Sequence, residues 1–489
     1  MINRRNFLLG SAGVATAAAL YNSDWLTELK KEYPNVLMLI VDDLNDWVGP
    51  MQGHPNAKTP NIDKLAGNAT TFTNAHASAP LCGPSRASIM TGLAPSTTGI
   101  YGHINDNDIR AASDKTAHSI FLSEYFKDHG YYTAAVGKVF HQRVADGSFD
   151  DYGGRVKGFG PYRDEKFVWN DPRTNTDWGA FPEKDEQMPD YDSAHWIADK
   201  LATDHDKPFF MACGFLRPHA PWYVPQKWFD MHPIEQVQLP PYIPKDLADV
   251  PEIAKKVTDH PMMPTTEWAL ENGHYRDIVQ AYLASVSFVD SCVGIVLDAL
   301  EKSAYADNTA VVLWGDHGYH IGEKDKFAKM TLWERATRTP LIIKPPKSQG
   351  KQVSNKPVSL LDLYPTLVKM CGLPENPTNE GRDLTPLLND PNAKWQHAAV
   401  TTYGEKNHAI KTEKYRYIRY EDGSEELYDH TLDRNEWRNL ATDPQYAEVK
   451  RELAKHLPAI DAPWSEKTYY DGNDYFLQKT VEAGAKGRM

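Results

Sequence analysis

Two acidic pairs are placed where they could do chemistry. Asp42-Asp43 directly follows the apolar run Asn35–Val41, and Asp316-His317 closes the run Ala310–Trp314. Carboxylate oxygens converging from two such points form a site for a hard cation, Ca2+ or Mg2+. Either pair alone is better read as a loop or helix cap, because Asp is common there. A third group is the polar run Cys82-Gly83-Pro84-Ser85-Arg86. The other cysteines, Cys213, Cys292 and Cys371, lie in apolar surroundings and read as buried thiols; 4 in all are too few for a disulfide scaffold. Two histidines carry flanking patterns: His141 ends Gly137-Lys138-Val139-Phe140-His141, and His219 follows Arg217-Pro218. An imidazole titrates near neutral pH, which suits it to proton transfer.

Those groups need strands to hold them. Asn35–Val41, Tyr132–Val136, Pro208–Cys213, Ala310–Trp314 and Pro340–Ile343 are short, continuous apolar runs, the pattern of strands buried on both faces of a parallel sheet. Helical patterns lie between them. Ser119–His129 has helical spacing and ends at Gly130; Asp277–Lys302 places Ile278, Tyr282, Val286, Val289, Val293, Val296 and Leu300 on one face. Asp362 is placed to cap a helix reaching Met370, with Gly372 beyond it. Alternation of this kind predicts an α/β fold with a large, mostly parallel sheet flanked by helices. Functional groups in such folds sit at the carboxyl ends of the strands. Residues 147–192 and 218–264 interrupt the rhythm; the second stretch contains ten prolines and predicts irregular binding loops. After about Pro391 the pattern becomes short β-prone pieces, Tyr415–Tyr420 and Glu426–Tyr428, with a helix near 447–456. The expected organisation is a catalytic domain over 33–390 and a smaller antiparallel C-terminal subdomain over 391–489.

The chain of 489 residues carries a formal net charge of −13. That balance argues against a nucleic-acid partner, which needs a basic surface. Residues 1–22 read as a signal peptide: Arg4-Arg5 is followed by a short apolar stretch and an Ala-rich end, and the paired arginines point to the twin-arginine route. The apolar run is shorter than the ~20 residues of a spanning helix, and no other segment reads as long and apolar enough. The mature protein is expected to be exported, periplasmic or extracellular, without a membrane span.

The run from Cys82 to Gly92 reads C-x-P-S-R-x-x-x-x-T-G, and in this it resembles the signature of type I sulfatases. The Asp42-Asp43-Leu44-Asn45 run, Gly137 to His141, Arg217-Pro218-His219, Asp316-His317-Gly318 and the closing Glu426-Leu427-Tyr428-Asp429 occur in family order. The resemblance is greatest to iduronate-2-sulfatase and related bacterial polysaccharide sulfatases, with Asp316-His317 standing where many sulfatases have Asp-Asn. It implies the alkaline phosphatase-like fold and conversion of Cys82 to Cα-formylglycine by a formylglycine-generating maturation enzyme. It also implies a cation, Ca2+ before Mg2+, held by Asp42, Asp43, Asp316 and His317 beside the Cys82-derived group.

The implied roles are specific. Arg86 and Lys138 support the hydrated aldehyde and the sulfate, Lys329 contacts sulfate, His219 is the general acid for the leaving group and His141 the base for sulfate release. His103, Asn105 and Arg217 are candidate substrate contacts. The expected partner is a sulfated carbohydrate of carrageenan, ulvan or glycosaminoglycan type, with Trp169, Trp178, Trp222, Tyr223 and Trp228 as candidate sugar-stacking walls. A phosphodiester or phosphonate monoester hydrolase on the same scaffold, and a catalytically silent glycan-binding protein, are the alternatives.

Overall fold

The computed structural model describes residues 33–484 apart from 156–157, 171–172, 349 and 471; the signal segment read at 1–22 lies outside these. An eight-stranded sheet forms the centre of the molecule. Its strands are β1 (Asn35–Val41), β2 (Thr70–Phe72), β3 (Tyr132–Gly137), β4 (Asp151–Tyr152), β5 (Phe209–Phe215), β6 (Thr309–Gly315), β7 (Leu341–Lys344) and β8 (Gln352–Ser354). They lie in the order β8-β2-β7-β6-β1-β5-β3-β4. β7 runs antiparallel to both its neighbours, and the remaining pairings are parallel. The apolar run at 340–343 was expected to be parallel. A strand buried on both faces is apolar in either direction, so composition carries no orientation.

Alternation along β1 explains its unbroken apolar sequence. Leu37, Leu39 and Val41 point into one core, and Val36, Met38 and Ile40 into the other. The first core is built on the long helix Tyr275–Lys302, whose predicted apolar face is buried. By length and composition this helix could span a membrane, contrary to the expectation that no segment after the signal would. It is instead packed against the helix Pro189–Leu201 and shares one core with the sheet residues Leu37, Leu39, Met211 and Leu313. The second core holds the helices Cys82–Thr91, Leu122–Asp128 and Leu363–Met370.

Two helical expectations shift. The pattern at 119–129 becomes helical only from Leu122, after an extended Phe121. Asp362 does not cap the helix that follows it; its carboxylate accepts from Ser359 N and Arg382 N at 2.9 and 2.8 Å. The proline-rich stretch is more regular than expected, with a strand at Trp222–Val224 and helices at Gln226–Asp230 and Glu252–Val257. Proline is tolerated there because it falls at helix starts and between elements.

A four-stranded antiparallel sheet, Ala399–Thr402, His408–Lys411, Tyr415–Arg419 and Glu425–Asp429, follows the large sheet and carries the helix Ala447–Ala454. The chain then turns back: Thr468–Tyr469 pairs antiparallel with His103–Ile104, close to the carboxyl end of the large sheet.

Candidate active site

Four neighbouring strands deliver the chemistry at one edge. β1 ends in Asp42-Asp43, β3 in Lys138, β5 leads into Arg217–His219 and β6 into Asp316-His317. The helix Cys82–Thr91 begins above them, with Cys82 in its first turn. Spacing by three and four puts Ser85 and Arg86 on the Cys82 side of that helix. Ser85 Oγ donates to Asp316 O at 2.6 Å, and Arg86 Nε to Asp316 Oδ2 at 2.8 Å. Gly92 ends the helix at φ +74°, where a Cβ would lie 2.1 Å from Asn379 Oδ1, so only glycine fits.

The centre is a buried alternation of charge. Lys138 Nζ lies 2.5 Å from Asp42 Oδ2, Arg86 Nη2 3.4 Å from Asp42 Oδ1, and Lys329 Nζ 2.6 Å from Asp43 Oδ1. Lys329 Nζ is also 3.1 Å, and His317 Nε2 3.3 Å, from Cys82 Sγ. Burial alone would raise the Asp42 carboxyl, but Lys138, His219, Arg86 and Lys329 hold it well below the usual range. Asp43 is pushed up to about 7 by burial, which Lys329 opposes and Asp42 and Asp316 reinforce. The Cys82 thiol, 1% exposed, is pushed up to about 12 by burial and by Asp42. An unmodified Cys82 is therefore a neutral thiol, a poor nucleophile and a poor ligand.

The donor set fits a divalent cation. Asp42, Asp316 and His317 present ligand atoms within 4.8 Å of one another and of Cys82 Sγ, and Asp43 lies in an equally close group with Asp42 and His219. Asp43 Oδ2 is buried without a hydrogen-bond partner among the described residues. Burial pushes His317 down to about 4, against the pull of Asp316. Its Nδ1 donates to Gly318 O at 2.9 Å, leaving the Nε2 lone pair toward the carboxylates. A neutral imidazole fixed in this way is the form that ligates metal.

Asp43 itself is held in a left-handed conformation, φ +60°. Its N–H donates to Asp316 Oδ1 at 3.1 Å and its carbonyl accepts from Tyr282 Oη at 2.8 Å.

His219 Nδ1 donates to Ala220 O at 2.5 Å, and its Nε2 lies 3.9 Å from Asp43 Oδ2. His141 stacks on His103 with ring centroids 4.1 Å apart. Burial pushes both His141 and His219 well below the ordinary imidazole value; His103 and Lys138 add to this at His141, and Lys329 at His219.

These groups share the floor of a cavity of about 490 Å³ lined by Asp43, Cys82, His103, His141, His219 and Lys329. Arg86, Lys138, Asp42, Asp316 and His317 lie immediately behind that floor. Two candidate contacts do not line it. Asn105 is exposed, its side chain capping the turn at Asn107 N (3.1 Å). Arg217 is fully buried, its guanidinium donating to the carbonyls of Tyr223, His219 and Phe159 at 3.2–3.3 Å. Of the five aromatics, only Tyr223 lines the cavity; Trp222 is core, and Trp228 packs on Phe288.

Sequence reading missed the groups that position this floor. Asp106 accepts from the N–H groups of His141, Gln142 and Arg143 at 3.1, 2.9 and 2.8 Å. Asp190 accepts from Leu216 N and Arg217 N at 2.7 and 2.8 Å. Phe159 lies against His219, at 4.7 Å between rings, and under Lys138 Nζ. None has a local sequence signal, because each acts on a segment it meets only after folding.

The family model described as Sulfatase matches residues 34–373; one for the N-sulphoglucosamine sulphohydrolase C-terminal region matches 322–462, and one for the twin-arginine translocation signal matches 1–21. A curated sulfatase of Formosa agariphila is 48% identical, covering 94% of this chain and 93% of its own length. Iduronate 2-sulfatase of Mus musculus is 30% identical, covering 76% and 74%. An ulvan-active sulfatase of Formosa agariphila is 28% identical, covering 91% and 84%. Among solved structures, BT4656 in complex with its substrate D-glucosamine-2-N,6-O-disulfate superposes with a TM-score of 0.67 at 22% identity, covering 92% of this chain and 98% of that one.

Proposed function

The chain belongs to the sulfatase family, and we propose that this sulfuric ester hydrolase acts on a sulfated carbohydrate, through an oxidised Cys82 and a divalent cation. The observation that carries this reading is the convergence of Cys82, Lys329, His219 and His141 on one cavity floor, above three buried carboxylates. The twin-arginine signal directs export, where extracellular polymers and their fragments are met. The relatives named for iduronate and for ulvan support a saccharide substrate.

Asp42, Asp43, Asp316 and His317 would hold the cation, Ca2+ by the predominance of carboxylate oxygen. A bound cation supplies Lewis-acid polarisation of sulfate oxygens and of the nucleophile. Formylglycine, formed from Cys82 by a maturation enzyme, supplies a hydrated aldehyde with one hydroxyl to attack sulfur and a second for release of sulfate.

The chain's own residues do the rest. The first turn of the helix Cys82–Thr91 directs its N-terminal dipole at the sulfate position, favouring negative charge there. Lys329, within 3.1 Å of Cys82 Sγ, donates to the sulfate oxygens. Arg86 and Lys138 act behind the carboxylates, fixing Asp42 and Asp316 and balancing their charge. His219 presents Nε2 to the cavity and, once protonated there, delivers a proton to the departing alkoxide. His141, neutral and stacked on His103, takes the proton whose loss drives sulfate release.

Peptide mass spectrometry at Cys82, together with sulfate release from a panel of sulfated oligosaccharides, tests the reading. A fully active enzyme with an unmodified thiol refutes the formylglycine assignment; release only from non-carbohydrate esters refutes the substrate class.

A further inference from the structure

Beyond the sulfate-binding floor, the same cavity has an outer wall built by residues of the 159–177 segment. It includes Arg163 and Lys166, both exposed side chains of that segment. Arg163 is seated rather than loose. Its guanidinium carbon stands 5.9 Å above the ring of Tyr223, and its Nη1 donates to Trp178 O at 3.3 Å. Gly179, at φ +144°, makes the room: a Cβ there would lie 3.0 Å from Arg163 Nη1. Tyr223 is fixed in turn, its hydroxyl donating to Asp177 Oδ2. Asp177, the acidic residue of this wall, also accepts from Phe167 N and Trp178 N at 2.9 and 2.8 Å, so its oxygens are committed to the loop's own donors. A guanidinium carries five N–H donors in a planar fork matched to carboxylate or sulfate, and the bond to Trp178 engages one nitrogen.

The scissile sulfate is provided for by Lys329 and the floor. We propose that Arg163, assisted by Lys166, forms a second anion subsite, so that the preferred substrate is a sugar bearing another negative group besides the scissile sulfate. This rests on the sulfatase reading of the same pocket and deepens it by naming the substrate's charge pattern. A ring carboxylate and a second sulfate ester offer the fork the same chemistry.

Competition against turnover of 4-nitrophenyl sulfate separates the possibilities. The competitors are glucose 2-sulfate, glucuronic acid 2-sulfate and glucose 2,6-disulfate, each tested on the wild type and on Arg163→Ala and Lys166→Ala. In the wild type a dianionic competitor is expected to bind about 10- to 100-fold more tightly than glucose 2-sulfate, the range of one charge-assisted fork. Arg163→Ala is expected to remove most of that advantage, and Lys166→Ala part of it. Whichever dianion holds the advantage identifies carboxylate or sulfate as the group read. Equal inhibition by all three sugars, or an advantage that survives both substitutions, overturns the second subsite while leaving the sulfatase reading intact. A wild type that releases sulfate neither from 4-nitrophenyl sulfate nor from any of the three sugars overturns both.

Discussion

Tyr282 offers the sharpest test of how the cation site is held. Its hydroxyl donates to Asp43 O at 2.8 Å and accepts from Asn45 N at 3.0 Å, all within the core. Its ring packs edge-on against Trp47 and Trp222, with centroids 5.3 and 6.0 Å away, contacts that a phenylalanine keeps. Tyr282→Phe therefore deletes one oxygen and leaves two buried backbone groups unpaired. At about 1–3 kcal/mol for each buried group left unsatisfied, partly relieved by local movement, the loss of stability should be about 2–4 kcal/mol. Asp43 also loses one of two anchors on its left-handed backbone, the other being its N–H bond to Asp316. Loosening a ligand's support typically weakens metal binding about 10- to 100-fold. The assay has two arms: urea unfolding with excess chelator reads the fold, and Ca2+ titration of sulfate release reads the site. Wild-type behaviour in both arms would show that the hydroxyl positions nothing.

Other outcomes follow from the same geometry. Cys82→Ala should fold like the wild type and release no sulfate; thermal unfolding and an ion assay for sulfate check the two halves. His219→Ala should lower kcat/KM for a sugar sulfate by about 10²–10⁴, and for an aryl sulfate much less, because a phenoxide departs without a proton; equal losses would remove His219 as the acid. Burial pushes His232 down to about 4 and His260 down to about 3 from the unfolded value of 6.5. Such groups give stability that is present above pH 6.5 and lost as pH falls through 6 toward 4. Asp190, Asp290 and Asp362, pushed up to about 6 by burial, act oppositely over pH 4–6 and offset a comparable amount. The change in urea midpoint from pH 7.5 to pH 5 should therefore be more favourable in a His232→Gln variant than in the wild type; an identical change in both would contradict the histidine contribution.

What could be read from the sequence was local or strongly patterned. The run from Cys82 to Gly92 was readable as a motif, though not as the helix that carries it, and the apolar runs Asn35–Val41 and Ala310–Trp314 mark buried strands. The two acidic pairs meet because the strands before them are neighbours. Direction was not readable for Leu341–Lys344, since a two-sided core leaves the same composition in a parallel or an antiparallel strand. Nor were Asp106, Asp190 and Tyr282, each of which supports a backbone segment 26–239 residues away. Arg217 shows the converse error. Its motif placed it at the site, but its charge is engaged by three carbonyls that shape the loop around His219.

Tyr470 and Gly472 complete the cavity wall, carried there by the strand pairing of Thr468–Tyr469 with His103–Ile104. The pocket is thus written in two instalments, with Cys82 in the first fifth of the chain and the last piece of wall near its end. A ribosome has made almost the whole protein before an enclosed pocket can exist. In the folded chain Cys82 is 1% exposed, so a macromolecule that modifies it must do so before the pocket closes. On the proposed oxidation of Cys82, maturation therefore precedes enclosure, an order set by where the C-terminal strand is encoded.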